Sequence, residues 1–136
     1  MNIQTRYQTI SEIKSTNSMR IDDDMNAVDA VDTLLKTHKS GAPVVDQRGA
    51  CIGFINETIL LDAVLEGKNL KGLTARDVMA PPHTVKEDMP IESAIRFMDQ
   101  HHLQQLPVVK DGKLMTTITR HDLLRAVLDL GLGVEQ

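Results

Sequence analysis

The chain is nearly without aromatic residues: no Trp, one Tyr and two Phe in 136 residues. That scarcity argues against a platform for unpaired nucleic-acid bases, which is built by stacking on aromatic rings. It also requires a core of Leu, Ile, Val, Ala and Met. There is one cysteine, Cys51, so no internal disulfide can form and no pair of thiolates can hold a metal. Positive charge is short, with 15 Lys and Arg against 19 Asp and Glu and a formal net charge of −4. The basic residues are scattered, which leaves no electrostatic footprint for nucleic acid or an anionic membrane. No apolar run approaches the roughly 20 residues that cross a bilayer. The first 16 residues are polar and lack the apolar stretch of a signal peptide. These absences predict a soluble, cytoplasmic protein with neither a nucleic-acid nor a membrane partner.

What is present is an internal repeat. Apolar residues make up 41% and charged residues 25% of the chain, a globular composition with enough length for a core. At an offset of 64 residues, Asp24-Met25 falls on Asp88-Met89, Ala30 on Ala94, His38 on His102, and Pro43-Val44-Val45 on Pro107-Val108-Val109. One deletion in the following turn changes the offset to 63. Gly49 then falls on Gly112, Ile55 on Ile118, Leu60-Leu61 on Leu123-Leu124, and Ala63-Val64-Leu65 on Ala126-Val127-Leu128. A register held over a whole unit marks a duplicated structural element.

Each copy can be read from periodicity. Ala27, Ala30, Val31 and Leu34, and likewise Ile91, Ala94, Ile95 and Met98, recur at helical spacing, with Pro90 suited to a first helical turn. Pro107 to Lys110, Asp111-Gly112 and Lys113 to Thr119 predict a hairpin with a tight Asp-Gly turn. Pro43 to Asp46, Gln47-Arg48-Gly49 and Ala50 to Asn56 predict its counterpart with one more turn residue. A second helix carries Ile59, Leu60, Ala63 and Val64 in one copy and Leu123, Leu124, Val127 and Leu128 in the other, ending near Gly67 and Gly131. The expected division is a first repeat over 1–66 with its N-terminal segment, a linker over 67–73, and a second repeat over 74–136. Each copy alone would expose an apolar sheet face and helix faces. Packing the two copies together would create clefts suited to a ligand.

This order of elements, together with the Arg76-Asp77-Val78-Met79-Ala80-Pro81 stretch, resembles a tandem pair of cystathionine-β-synthase (CBS) domains across roughly residues 9–130. The resemblance implies an α/β fold of the α+β type: two pseudo-symmetric βαββα units packed as one module. It also implies a regulatory, non-enzymatic role, with an adenine nucleotide (AMP, ADP or ATP) or S-adenosylmethionine bound in the clefts. Such modules are usually fused to an enzyme or transporter, so this chain is expected to act alone or on an unidentified partner of that kind. The apolar helix faces predict a homodimer packed through helices.

Thr119-Arg120-His121-Asp122 is the sharpest local motif. The resemblance implies that Thr119 and Asp122 hold the adenosyl ligand. Asp122 would accept from ribose hydroxyls, Thr119 would donate to a phosphate beside a helix N-terminus, and His121 could meet a phosphate. The other reading is a capping box, Thr at N-cap and an acid at N3, and one geometry can serve both. The first copy has Asn56-Glu57-Thr58-Ile59, where Asn56 can cap but Ile59 cannot hold a ribose, so one competent site per chain is expected. Gln104-Gln105-Leu106-Pro107 would present its backbone to the base or phosphates, its long amides narrowing the pocket, or would be a solvated loop. Its counterpart Ser40-Gly41-Ala42-Pro43 is expected to leave more room. Pro82-His83-Thr84-Val85 and Ser18-Met19-Arg20-Ile21 would be lead-in strands edging the adenine, or plain sheet pairing. His101-His102 suits a helix C-terminus, Cys51 is expected to be a buried strand residue, and Asp22-Asp23-Asp24 a solvated acidic turn. No nucleophile is paired with a base and no ligand cluster has metal spacing. The alternative to ligand sensing is a dimeric protein-interaction module whose clefts have lost ligand binding.

Overall fold

A computed structural model describes residues 7–15, 17 and 19–128. The elements run β1 (Ile21–Asp22), α1 (Ala27–Thr37), β2 (Gly41–Val45), β3 (Cys51–Asn56), α2 (Glu57–Leu65), α3 (Ala75–Val78), β4 (Val85–Lys86), α4 (Ile91–Gln100), β5 (Gln105–Lys110), β6 (Lys113–Thr119) and α5 (Arg120–Leu128). Each repeat is a three-stranded sheet, β1-β2-β3 in the first and β4-β5-β6 in the second. The short first strand lies parallel to the second, Ile21 beside Val44 and Val85 beside Val108. This is the mixed α/β architecture expected from the repeat.

Local chemistry sets the boundaries. Asn56 caps α2 by accepting from the Ile59 N–H at 2.8 Å, and Asn26 caps α1 by accepting from Val28. The α2 helix stops where Gly67 turns left-handed at φ 86° and the Lys68 N–H reaches the Ala63 carbonyl. At the ends of α1 and α4 the same left-handed position is filled by His38 and His102, φ 57° and 55°. The histidines therefore end the helices through backbone geometry, a role the helix-dipole argument missed. Asp111 and Gly112 both have positive φ, 52° and 78°, as a two-residue hairpin turn requires. The predicted end of α5 near Gly131 lies outside the described residues. Pro90 is the N-cap of α4, one position before the expected first turn.

The chain divides into two compact units that exchange their leading segments. Among the described residues, one unit comprises 19–82 with 112–114; the other gathers 7–15 and 17 with 83–111 and 115–128. Ile10 and Ile13, 2% and 5% exposed, sit in the core with Val85, Ile91, Leu106 and Ile118. Ala75 and Val78 sit in the other core with Ile21, Leu34 and Ile55. The two leading turns match each other. Glu12 accepts from the Thr9 N–H at 3.1 Å, and Asp77 accepts from the Thr74 N–H at 2.9 Å. Thr9 bridges to Pro90 and Thr74 to Asn26. These N–H donors hold both carboxyls below their ordinary range, Glu12 through Gln8 and Thr9, Asp77 through Thr74. Tyr7, Ile10 and Ile13, which precede the first repeat's own elements, thus pack in the core of the second repeat, and α3 packs with the first. Apolar side chains seek whichever core has room for them, and sequence adjacency does not decide which.

Candidate functional site

In the second repeat the β6–α5 corner is built by reciprocal hydrogen bonds. The Thr119 N–H donates to Asp122 Oδ2 at 2.9 Å, and the Asp122 N–H donates to Thr119 Oγ1 at 3.2 Å. The capping box is therefore formed. It does not use up the polar groups: the cap engages Oδ2 of the carboxylate and the lone pairs of the hydroxyl, whose proton is still available to donate. Asp122 is 7% exposed.

Arg120, inside the same motif, reaches away from the corner to distant backbone carbonyls. Its guanidinium donates to the Leu103 carbonyl at 2.8 Å and to the Met98 carbonyl at 3.4 Å. It ties the start of α5 to the turn that follows α4, where the Met98 carbonyl also accepts from the Leu103 N–H. His121 is exposed.

The strand β5 begins at Gln105, so only Gln104 fits the expectation of a solvated residue. Gln104 is exposed, whereas Gln105 is 8% exposed and its Oε1 has no hydrogen-bond partner. Leu106 is fully buried, and Pro107 is among the most deeply buried residues. In the first repeat, Gly41 does not leave room. A Cβ there would lie 2.7 Å from the Ile55 carbonyl oxygen and 2.9 Å from Asn56 Cβ. The glycine is needed because β3 approaches closely, and Ala42 beside it is buried. Ser40 is exposed and its carbonyl accepts from the Glu57 N–H.

The lead-in segments are strands only at their ends. Pairing starts at Ile21 and Val85; residues 82–84 and 19–20 have no regular structure. Prolines 81 and 82 offer no N–H to a ladder. Val85 is buried and Thr84 half-buried, while His83 is exposed and its ring lies 4.6 Å from His101 and 6.2 Å from Phe97. Met19 Sδ accepts from the Thr37 hydroxyl. Ser18 lies outside the described residues. Cys51 opens β3 and is half-buried rather than fully so, and burial pushes its thiol pKa up, which makes it a poor nucleophile. Asp23 is not merely solvated: the Arg76 guanidinium donates to its carboxylate, through Nε at 3.0 Å. Among the described residues no group of three His, Cys, Asp or Glu side chains converges to hold a metal ion, and no helix is long and apolar enough to cross a membrane.

The CBS domain model matches residues 10–66 and 75–129. An uncharacterized protein of Methanopyrus kandleri is 36% identical over 106 residues, covering 75% of this chain and 54% of its own length. A zinc metalloprotease of Methanocaldococcus jannaschii is 30% identical over 98% of this chain but 37% of its own length. The chain thus spans about half or less of these curated relatives. Among solved structures, CBSX2 in complex with AMP is 26% identical with a TM-score of 0.76, covering 90% of this chain and 97% of that one. CBSX2 from Arabidopsis thaliana, described as a CBS-pair protein, gives a TM-score of 0.77 at 25% identity over 90% of this chain and 95% of its own.

Proposed function

Because the chain belongs to the CBS-domain family and carries two such domains in tandem, we propose that it is a non-catalytic regulatory module that senses an adenosyl compound. AMP, ADP, ATP and S-adenosylmethionine are the ligands to consider. The observation that carries this reading is the Thr119–Asp122 corner. Its cap leaves a carboxylate oxygen able to accept from ribose hydroxyls and a hydroxyl able to donate to a phosphate. The AMP held by a CBS-pair relative of 26% identity supports the ligand class. The first repeat offers Asn56, whose side chain is engaged at Ile59, and no acid at that position. One strong site per chain follows. Calorimetric titration with the best ligand from a melting-temperature screen is expected to give one equivalent per chain, since a ligand bound only by the folded state raises its apparent stability. Two equal sites would show that Asn56 suffices, and no response to any of the four ligands would leave the interaction-module reading in its place.

The partner that the surface supports best is a second copy of the chain, with a regulated enzyme or transporter beyond it. Leu35, Leu61 and Val64 are exposed on α1 and α2, at 65%, 63% and 53%, beside a groove of about 460 Å³. Leu124 and Leu128 are exposed on α5, which with α4 frames a groove of about 300 Å³ lined by Ile95, Leu123 and Val127. Contiguous apolar helix faces of this kind mark protein contacts. Light scattering at micromolar concentration is expected to read twice the 15.1 kDa chain mass; a monomer would refute the homodimer.

A further inference from the structure

We propose that the apolar face of α1 and α2 docks on the α4–α5 face of a second copy, and not on its own equivalent; this rests on the homodimer reading above. The starting observation is that the repeat keeps its apolar helix positions and reverses its charged ones. At the offset of 63, Leu61, Val64 and Leu65 of α2 fall on Leu124, Val127 and Leu128 of α5. At the same offset Glu57 falls on Arg120 and Asp62 on Arg125. Leu61, Leu65, Leu124 and Leu128 are all exposed, Leu65 at 84%, so they stand uncovered among the described residues.

The reversed charges flank these leucines. Glu57 lies four residues before Leu61, and Asp62 three before Leu65; Arg120 and Arg125 stand in the same relation to Leu124 and Leu128. Residues three and four apart are neighbours on a helix surface. Glu57 lines the groove of α1 and α2, and Arg120 lines that of α4 and α5. Among the described residues, Glu57, Asp62 and Arg125 enter no ion pair. Arg120 gives two of its N–H donors to backbone carbonyls and keeps the rest. A third reversal, Asp32 onto Arg96, is already engaged on its own helices, with Lys36 and Glu92, each at 2.8 Å. Lys39, the cation that also lines the first groove, falls on apolar Leu103. The reversal available to a partner is therefore carried by α2 and α5.

Docking like on like sets acid against acid and arginine against arginine around an apolar seam. Docking α2 on α5 sets acid against arginine at both positions. Asp62 and Arg125 lie one residue past the middle of helices of 9 residues, central enough to meet whichever way the helices run. Exposed ion pairs add little affinity, which the leucines supply by burial. Like charges set opposite each other exclude the wrong pairing. A two-fold axis makes the contact twice, once with the α2 of each copy.

The test measures the dimer dissociation constant by sedimentation for the parent, Asp62→Arg, Arg125→Asp and the double variant. Each single reversal opposes like charges at both contacts and is expected to weaken the dimer by about tenfold. The double variant restores opposite charges and should return to within about threefold of the parent. If each face docks on itself, every variant keeps like charge opposite like charge and the constants all agree; that result overturns the proposal and leaves the homodimer intact. A monomeric parent refutes both. Cross-linking on a Cys51→Ala background reads the same geometry directly. A short bismaleimide should join Leu61→Cys chains to Leu124→Cys chains when the two are mixed, and should leave Leu61→Cys chains alone unjoined. Covalent dimers formed by Leu61→Cys alone overturn the proposal.

Discussion

Asp122→Asn is expected to weaken AMP binding by about ten- to hundredfold while leaving the free protein close to its parent stability. The substitution preserves size and removes charge. The Asn carbonyl oxygen can still accept from the Thr119 N–H, as Asp122 Oδ2 does at 2.9 Å. What replaces the second carboxylate oxygen is an amide NH₂, which cannot accept from a ribose hydroxyl. Hydrogen bonds to charged groups contribute about 1.5–3 kcal/mol, which converts to that loss of affinity. The cap and dipole contributions forfeited are on the order of 1 kcal/mol or below. Affinity and melting temperature of parent and variant check both halves. Ile59→Asp in the first repeat serves as the control and should leave the Asp122 site unchanged. A clear fall in melting temperature with unaltered AMP affinity would reduce Asp122 to a helix cap, and ligand binding at this corner would be lost as an explanation.

A second large effect is expected at a position that precedes the first repeat in sequence and packs in the core of the second. Ile10→Ala should destabilise the protein by roughly 2–5 kcal/mol, the range for truncating a buried isoleucine. Ile10 is 2% exposed and packs among Val85, Ile91, Leu106 and Ile118. Its backbone is fixed too: the Ile10 N–H donates to the Met89 carbonyl and the Ser11 N–H to that of Glu87, both at 3.0 Å. The cavity would therefore open in the unit of β4, β5, β6 and α5. Denaturant titration measures the size of the effect, and hydrogen exchange locates it. Amides of β5 and β6 should lose more protection than those of β2 and β3. A loss centred on β2 and β3, or one below about 1 kcal/mol, would contradict the exchange of leading segments.

Several side chains show where sequence reading stops. The Thr119–Asp122 box and the Asn56 cap were legible because a cap is a local device, closed by residues three apart. Arg120 was not. It sits in the same motif, yet its guanidinium reaches back 17 residues to the Leu103 carbonyl. Gly41 looked spacious because glycine is small; the approach of Ile55 and Asn56 from the next strand shows that it is small because space is short. Gln105 could be read either as a pocket-narrowing amide or as a solvated loop residue; strand pairing buries it, which excludes the solvated loop.

The sequence by itself determined the duplication, the helix and hairpin order of each copy, the Asp111-Gly112 turn and the two caps. Each of these is written in periodicity or in residues a few positions apart, where backbone geometry leaves few alternatives. Tertiary structure alone decided which core receives Ile10 and which receives Ala75, that His38 and His102 take the left-handed positions, and that Gln105 and Thr117 are buried with unmet hydrogen bonds. Burial and polar pairing depend on neighbours supplied from distant parts of the chain, and no local pattern encodes which neighbours those will be.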